Sequence, residues 1–368
     1  MSIKVNCKNL SGDITVPYSK SLSHRYMLAA FLSGKIDLIE SFDAYCEDLA
    51  VTKECLLKLS NNEREIDCKE SGTTFRFLMA VLPALGINAK IHISNSLAKR
   101  PITELIDCLN QHGAEIAKLD ENDYQIAGKL QPGVYEIPGN ITSQYISALL
   151  FAQFAMNSEI EIKVNGEIES KPYVDLTIQT LKGEPSPLEG DWSLGAMWLA
   201  ISKILGGSIN VVGLNEDSEQ ADAVFQDLLD IDDDLDVIVS VQDCPDLAPS
   251  IALWAIGRDA DTTITDAGRL KLKESDRLNA IVSVLTDLGA KIKSQDDRIE
   301  IVGNNHKILP GSDKAINAFN DHRIVMLAAL CSAITEKPVT IDSPESVSKS
   351  YPNFFKEIEK LGGKIEWN

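Results

Sequence analysis

The chain has 368 residues, 44% of them hydrophobic, and a formal net charge of −20. This length predicts two domains rather than a single compact core. The excess of 55 acidic over 35 basic side chains disfavours nucleic acid and anionic membranes as partners, so an anionic ligand requires a local cluster of cations.

The apolar segments and the cysteines indicate a cytoplasmic protein. The most apolar stretches, FLMAVLPALG and YISALLFAQFAM, are too short to span a bilayer, and the first residues contain no run of signal-peptide length. The seven cysteines show no C-x-x-C spacing, which indicates neither a disulfide framework nor a zinc site. We therefore expect reduced, mostly buried thiols.

The first predicted helix lies in PYSKSLSHRYMLAAFLSG, residues 17–34, and has cations at its start. Apolar residues at helical spacing place Lys20, Ser21 and Arg25 in or near the first turns. Cations are disfavoured at this positive end of the helix dipole unless an anion is bound there. The segment is a candidate cradle for phosphate or carboxylate, although two exposed cations on a solvated face would give the same pattern.

Further helix starts in the first half also carry polar or cationic groups. In ESGTTFRF, residues 70–77, Gly72 permits close approach of a ligand to the backbone, although an ordinary Ser or Thr cap is an equally good interpretation. Arg100 precedes Pro101, a favourable first helical residue. Later helix starts contribute Thr142, Ser143, Gln144 and Ser170.

Three segments, residues 101–128, 276–303 and 353–368, repeat one pattern of apolar helix, glycine and strand. Gly113, Gly289 and Gly362 fit the position after the last helical turn. In the first two segments a polar turn leads into a second strand. Such units cannot bury their helices alone, so they should pack together with helices inside and sheets outside, or the reverse.

In the second half, acidic and basic side chains cluster at predicted helix starts. The carboxylates Asp246 and Glu274 occur among cations and are candidates for proton transfer. Asp321 and His322 are also adjacent, but a helix-capping aspartate beside a packed histidine explains this pair as well as a functional role does. The cations near these helix starts are Lys273, Arg277, Arg323 and Lys349.

Several cofactor-binding motifs are absent from the sequence. There is no G-x-x-x-x-G-K-[ST], no G-x-G-x-x-G after a strand and no H-x-x-x-H. This argues against nucleoside triphosphate, dinucleotide and zinc chemistry. The repeated helix starts instead predict a site that binds a strongly anionic ligand.

These segments together resemble the 5-enolpyruvylshikimate-3-phosphate (EPSP) synthase family of enolpyruvyl transferases. The matching motifs occur in the family order and span nearly the whole chain. They are P-x-S-K-S-x-S-x-R at 17–25, S-G-T-T-x-R at 71–76, K-R-P-I at 99–102, T-S-Q at 142–144, S-K-P-Y at 170–173, E-G-D at 189–191, P-D at 245–246, K-E-S-D-R at 273–277, D-H-R at 321–323 and S-K-S-Y-P at 348–352.

The resemblance implies an α/β fold of two lobes, each built from βαβαββ units with helices inside and sheets outside, in the manner of an inside-out α/β barrel. It places one lobe at residues 1–18 and 218–368, the other at 19–217, and the active site in the cleft between them. Two of six units should be abbreviated at their outer strands, one after Tyr173 and one around LLDIDDDLDVIV.

The implied reaction is transfer of the carboxyvinyl group of phosphoenolpyruvate to the 5-hydroxyl of shikimate 3-phosphate, with release of phosphate. This is a step of chorismate and aromatic amino-acid synthesis. The resemblance implies no metal or organic cofactor and a monomeric enzyme.

The family roles carry over to matching positions. Asp246 is implied to take the 5-hydroxyl proton, Glu274 to give a proton to the methylene carbon and remove one again, and Lys20 to contact both substrates. The residues implied to bind shikimate 3-phosphate are Lys20, Ser21, Arg25, Thr142, Ser143, Gln144, Ser170, Asp246 and Lys273. Those implied to bind phosphoenolpyruvate are Lys20, Gly72, Arg100, Gln144, Arg277, Arg323 and Lys349.

Two alternatives remain at this point. Tyr18, His24 and Arg269 depart from the family pattern, and the short chain allows a non-catalytic anion-binding homologue. Retention of Asp246 and Glu274 disfavours this reading, since a mere binder needs no proton shuttle. The sister transferase that acts on UDP-N-acetylglucosamine usually carries a cysteine in a mobile loop, whereas Cys108 here falls within a predicted helix.

Overall fold

The computed structural model describes residues 1–183 and 189–368. The chain forms two compact units, Met1–Ser19 with Glu189–Asn368 (unit one) and Lys20–Leu188 (unit two). The sequence led us to expect lobes of residues 1–18 with 218–368 and of residues 19–217. In the structure, residues 189–217 pair and pack within unit one.

The elements are numbered here in chain order. The strands are β1 Ser2–Asn6, β2 Gly12–Thr15, β3 Glu65–Asp67, β4 Ala89–His92, β5 Ala114–Lys118, β6 Asp123–Gly128, β7 Val134–Pro138, β8 Glu161–Asn165, β9 Ile209–Val212, β10 Val237–Ser240, β11 Thr262–Thr265, β12 Ile292–Gln295, β13 Arg298–Ile301, β14 Val339–Asp342 and β15 Lys364–Trp367. The α-helices are α1 Lys20–Leu32, α2 Ile36–Glu40, α3 Glu47–Ser60, α4 Gly72–Leu85, α5 Thr103–Asn110, α6 Ser143–Met156, α7 Lys171–Lys182, α8 Trp192–Ile204, α9 Phe225–Leu229, α10 Ala248–Ala255, α11 Arg277–Asp287, α12 His322–Cys331 and α13 Phe354–Lys360.

The predicted βαβαββ unit occurs in full once in each half of the molecule. The strand order is β3-β4-β6-β5 in unit two and β10-β11-β13-β12 in unit one. In both sheets the first two strands are parallel and the remaining neighbours are antiparallel. A third copy in unit one takes its last strand from the start of the chain, because β1 pairs with both β14 and β15. An isolated bridge from Ile316 to Ile341 replaces the first strand of that copy.

The remaining units are abbreviated, and more extensively than predicted. After Tyr173 the chain continues as α7, and residues 184–188 of the predicted trimmed segment lie outside the described residues. Around LLDIDDDLDVIV, α9 has only five residues, and β10 is the first strand of the next unit. A third abbreviation was not predicted: α2 lies between α1 and α3 where the repeat pattern has a strand. Only the pairs β7–β8 and β2–β9 remain as sheets elsewhere in the described chain.

Helices form the inside of each unit, as predicted. Every residue of α10 and α12 in unit one is buried, and so are twelve of the fourteen residues of α4 in unit two. A helix that is apolar on all sides requires burial on all sides. The strands instead alternate between buried and exposed residues, which is typical of a sheet with one solvated face.

The glycines that end the repeated helices have the predicted left-handed conformation. Gly113, Gly289 and Gly362 all have φ of +97°. At Gly113 a Cβ would lie 2.7 Å from the carbonyl oxygen of Lys129, whose N–H donates back to the carbonyl of Gly113. This position therefore requires glycine both for its φ and for its space.

The cysteines and the apolar helices show the predicted features. All seven cysteines are free and buried. No helix in the described part of the chain combines the length and the apolar character that a membrane crossing requires.

Replacing Gly113 tests the requirement at this helix end. We expect Gly113→Ala to lower the free energy of unfolding by about 3 kcal/mol, since it adds a clash with fixed backbone to an unfavourable φ. Gly34→Ala is the matched control, because Gly34 has φ of +70° and a methyl group there would meet no neighbouring atom within 4 Å, so it should cost only about 1 kcal/mol. Equal losses in urea titrations of the two variants would contradict the steric argument.

Candidate active site

The start of α1 in unit two holds the first group of candidate residues. Lys20 is the first residue of the helix, and its Nζ lies 2.8 Å from Oδ2 of Asp48 on α3. Both side chains are mostly buried, at 18% and 11% exposure. The lysine is therefore held by a carboxylate, and the interpretation of Lys20 as a solvated surface cation is wrong.

Arg25 is buried rather than solvated, with 2% exposure. Its Nε donates to Thr177 Oγ1 at 2.8 Å, and its two terminal nitrogens donate to the carbonyls of Ser21 and Tyr173, each at 2.8 Å. Burial lowers the pKa of Arg25 to about 10, which still leaves the guanidinium charged at neutral pH. Arg25 thus joins α1 to α7 and places a fixed positive charge beneath the first turn of α1.

The start of α4 combines a glycine with two guanidinium groups. Ser71 caps the helix by accepting from the N–H of Thr74 at 3.5 Å. A Cβ on Gly72 would lie 2.8 Å from Nη1 of Arg76 and 3.0 Å from Nη1 of Arg100. The absence of a side chain therefore lets two cations approach a helix N-terminus, which is a favourable arrangement for binding an anion.

Gln144 links the starts of α6 and α4. Its Oε1 accepts from Nη1 of Arg76 at 2.7 Å, and its Nε2 donates to Thr73 Oγ1 at 2.9 Å. Its backbone N–H donates to the capping oxygen of Thr142 at 3.3 Å. The structure thus brings together Gly72, Arg100 and Gln144, three residues predicted to bind the same substrate.

Ser143 and Ser170 occupy two further helix starts in unit two. Ser143 is buried at the first turn of α6, next to the Thr142 cap. Ser170 is buried and has φ of +53°, an uncommon conformation for a residue other than glycine, where the chain enters α7.

In unit one, Arg277 at the start of α11 contacts three carboxylates. Its Nε donates to Asp321 Oδ2 at 2.9 Å, its Nη1 to Asp246 Oδ1 at 2.8 Å and its Nη2 to Glu274 Oε2 at 2.6 Å. Ser275 also donates to Asp321 at 3.0 Å. The two predicted proton-transfer groups, Asp246 and Glu274, are therefore held by one fully buried guanidinium.

Asp246 is surrounded by cations. Besides Arg277, it contacts Nζ of Lys273 at 3.2 Å and Nη2 of Arg323 at 3.2 Å. Desolvation raises the pKa of Asp246, but Arg323, Lys273 and Arg277 lower it by more, so that the pKa lies well below its ordinary value. The carboxylate is consequently ionised at neutral pH and is a poor base as long as all three cations face it alone.

Arg323 lies in the first turn of α12, where Asp321 caps the helix by accepting from the N–H of Arg323 at 3.0 Å. Its Nη2 also donates to Ser193 Oγ at 2.8 Å. Its Nη1 is buried and, among the described residues, has no hydrogen-bond partner. Arg323 therefore retains a donor for an anionic ligand.

Lys349 is the last residue of the short 3₁₀ helix Pro344–Lys349 in unit one. Its side chain is buried despite its charge. Arg269, which departs from the family pattern, donates to the carbonyl of Gln242 at 3.3 Å.

The sequence did not single out several partners that hold the candidate residues in place. Asp321 fits its interpretation as a helix cap, but it is also the buried partner of Arg277. Asp48 and Ser193 lie outside every matched motif. Arg76 ends the S-G-T-T-x-R motif, and that match was the available signal for its role beside Gln144.

Comparisons with known proteins agree with this architecture. A family model described as EPSP synthase (3-phosphoshikimate 1-carboxyvinyltransferase) matches residues 43–184 and 182–358. The 3-phosphoshikimate 1-carboxyvinyltransferase of Clostridioides difficile (strain 630) is 33% identical and aligns over 100% of this chain and 99% of its own length. That of Brachyspira hyodysenteriae is 30% identical over 99% of this chain and 100% of its own. The C. difficile alignment spans 438 positions, more than the 368 residues present, consistent with the abbreviated units.

Two solved structures share the fold. The EPSP synthase of Acinetobacter baumannii superimposes with a TM-score of 0.73 at 19% identity and covers 100% of both chains. The enolpyruvyl transferase NikO of Streptomyces tendae superimposes with a TM-score of 0.72 at 14% identity and covers 99% of this chain and 98% of its own.

The repeated units and the charged helix starts therefore define an enolpyruvyl transferase fold, as the sequence predicted. Within that class, the family is decided by the full-length identity of 30% or more to relatives named 3-phosphoshikimate 1-carboxyvinyltransferase. The chain belongs to the EPSP synthase family.

Removing the Arg277 guanidinium tests its role in unit one. We expect Arg277→Leu to lower the free energy of unfolding by about 3–5 kcal/mol, because it leaves the fully buried Asp321 without its cation. Arg298→Leu is the control, since Arg298 is half exposed and lies 4.0 Å from Asp297. A loss in Arg277→Leu no larger than in Arg298→Leu, measured by chemical denaturation, would contradict this view of the cluster.

Proposed function

We propose that this chain is a 3-phosphoshikimate 1-carboxyvinyltransferase, which transfers the enolpyruvyl group of phosphoenolpyruvate to the 5-hydroxyl of shikimate 3-phosphate and releases phosphate. The observation that carries the proposal is the Asp246 carboxylate in contact with Lys273, Arg277 and Arg323. A base among preorganised cations suits a reaction between two anionic substrates.

In the first half of the proposed reaction, Asp246 takes the proton of the 5-hydroxyl. The hydroxyl oxygen then bonds to the central carbon of phosphoenolpyruvate, and the methylene carbon takes a proton from the carboxyl group of Glu274. The product of this step is a tetrahedral intermediate. Substrate anions that bind Lys273, Arg277 and Arg323 reduce the positive charge acting on Asp246, which makes its carboxylate more basic at the moment of transfer.

In the second half, the carboxylate of Glu274 removes a proton from the new methyl group. The carbon–carbon double bond re-forms, and the bond between the central carbon and the phosphate oxygen breaks. The released phosphate takes up the proton that Asp246 accepted from the hydroxyl, which restores the Asp246 carboxylate. Glu274 thus serves as acid and then as base, a change of role that one residue performs when both steps occur on the same carbon. Lys20 contacts both substrates and stabilises charge on the departing phosphate.

The proposed ligands of each substrate include groups from both units. The proposed groups for shikimate 3-phosphate are Lys20, Ser21, Arg25, Thr142, Ser143, Gln144, Ser170, Asp246 and Lys273. The proposed groups for phosphoenolpyruvate are Lys20, Gly72, Arg100, Gln144, Arg277, Arg323 and Lys349. Exposed helix N–H groups and guanidinium groups are the donors that phosphate and carboxylate prefer, which supports these assignments.

The burial of Cys108 favours shikimate 3-phosphate over UDP-N-acetylglucosamine as the acceptor. Cys108 is buried within α5, and burial raises the pKa of its thiol to about 11. Such a thiol is unreactive, unlike the mobile-loop cysteine expected of the sister transferase.

We further propose that the enzyme acts as a monomer in the cytoplasm. Seven free, buried cysteines are consistent with a reducing compartment.

Phosphate release from phosphoenolpyruvate tests the proposed reaction directly. We expect turnover with shikimate 3-phosphate as acceptor and none with UDP-N-acetylglucosamine. Turnover with the nucleotide sugar alone would identify the sister activity, and turnover with neither would remove the enzymatic proposal.

A substitution of Asp246 tests its role as the base. We expect Asp246→Asn to lower kcat by about 100-fold or more while the Kd of shikimate 3-phosphate changes far less, because the amide keeps the size but cannot take the proton. Asp243→Asn is the matched control, since Asp243 is an exposed carboxylate three positions earlier. A kcat of Asp246→Asn within a few-fold of the unaltered enzyme would exclude Asp246 as the base.

A further inference from the structure

Two side-chain contacts join α1 to α3 in unit two, one helical turn apart. Lys20 contacts Asp48 at 2.8 Å, and four residues further along both helices the Nδ1 atom of His24 lies 2.7 Å from Thr52 Oγ1. Residues four apart lie on the same face of a helix, so the second contact sits directly beside the first. His24 therefore lies one helical turn from the proposed catalytic lysine, and both residues contact α3.

The contact of His24 continues as a row of buried hydroxyl groups that reaches α4. Thr52 Oγ1 lies 2.5 Å from Thr74 Oγ1, and Thr74 Oγ1 lies 2.7 Å from Ser71 Oγ. Ser71 caps α4 immediately before Gly72. The row thus connects the histidine on α1 to the helix start that is proposed to bind phosphoenolpyruvate.

Each hydroxyl has a single proton, so the direction of the row follows from the acceptor that Thr52 uses. Thr52 donates to the carbonyl oxygen of Asp48 at 3.2 Å, so its oxygen accepts from His24 and from Thr74. Thr74 then accepts from Ser71, and Ser71 keeps its lone pairs for the N–H of Thr74. In this arrangement the Nδ1 atom of His24 carries the proton and donates to Thr52.

The surroundings of His24 favour that neutral tautomer. The ring is 2% exposed, and its Nε2 is buried without a hydrogen-bond partner among the described residues. Burial, followed by the charges of Lys20 and Arg25, lowers the pKa of His24 well below its ordinary value. A bare lone pair on Nε2 is easier to bury than an unpaired N–H, so the proton belongs on Nδ1.

We infer that His24 is a positioning residue for phosphoenolpyruvate. Through Thr52 and Thr74, His24 holds the Ser71–Gly72 start of α4 in a fixed position relative to Lys20. The inference rests on the proposed function. At this helix start Gly72 is proposed to bind phosphoenolpyruvate alone, whereas most of the groups proposed for shikimate 3-phosphate lie elsewhere, so breaking the row should affect phosphoenolpyruvate more than shikimate 3-phosphate.

The test compares steady-state KM values for both substrates in four variants. Thr52→Val removes the central hydroxyl while keeping the shape, and His24→Leu removes its donor. We expect each to raise the KM for phosphoenolpyruvate about two- to tenfold, and to change the KM for shikimate 3-phosphate less than twofold. His24→Asn places an amide N–H near the position of Nδ1 and should restore most of the loss, whereas His24→Gln, whose amide corresponds to Nε2, should not.

Thr180→Val is the matched control, because the hydroxyl of Thr180 donates only within its own helix, to Leu176. It should leave both KM values unchanged. The double variant His24→Leu with Thr52→Val should be no worse than the poorer single variant, since both interrupt the same row.

Three results would overturn the inference. The first is an unchanged KM for phosphoenolpyruvate in folded Thr52→Val. The second is an equal increase in the KM values for both substrates in a variant whose Tm is lowered. The third is the same KM for phosphoenolpyruvate in His24→Asn and His24→Gln. Should His24→Leu fail to fold, Thr52→Val and the Asn–Gln pair decide the question. Turnover by the unaltered enzyme is measured in parallel, so a failure of the proposed function is recognised separately from a failure of this inference.

Discussion

The burial of Arg277 is the constraint on which the arrangement of the candidate site residues in unit one depends. A guanidinium remains charged at any physiological pH, so its burial requires hydrogen-bond acceptors with good geometry, and those of Arg277 are carboxylates. Asp246, Glu274 and Asp321 supply them from the residues before α10, before α11 and at the cap of α12. One charge therefore fixes three helix starts relative to one another, and two of its three partners are the groups proposed to move protons.

Unit two applies the same physical rule with different partners. Arg25 is buried against a hydroxyl and two carbonyl oxygens, and Arg76 is held by the amide of Gln144 and the carbonyl of Pro101. These acceptors are neutral oxygens, unlike the three carboxylates around Arg277. Arg25 and Arg76 both lie close to helix starts, in a chain whose overall charge is −20.

The candidate site could be predicted in its composition but not in its internal contacts. Motif order identified Lys20, Gly72, Asp246 and Arg277, because the chemistry demands particular side chains at helix starts. Asp48 and Ser193 could not be found in this way, since each matters only because a distant part of the chain brings it beside Lys20 or Arg323. The repeat pattern likewise gave the βαβαββ unit and its helix-ending glycines.

The boundary between the two units also depends on contacts between distant parts of the chain. The predicted division at residue 218 followed the family pattern, whereas α8 and β9 belong to unit one because β9 pairs with β2 and α8 packs against α10. Pairing between strands nearly two hundred residues apart leaves no local signal in either strand. The unexpected helix α2 is a comparable case, since a five-residue segment has too little periodicity to decide between strand and helix.

The sequence by itself determined the family to which the chain belongs, where the repeated helices end and which side chains are the candidates for the chemistry. These properties depend on residue type, short-range periodicity and backbone conformation, all of which are local. Only the tertiary structure decided that Arg25 and Arg277 are buried, that Asp246 faces three cations, and that His24 reaches the start of α4 through three hydroxyl groups. Burial, electrostatic environment and hydrogen-bond direction depend on segments that meet only when the chain is folded.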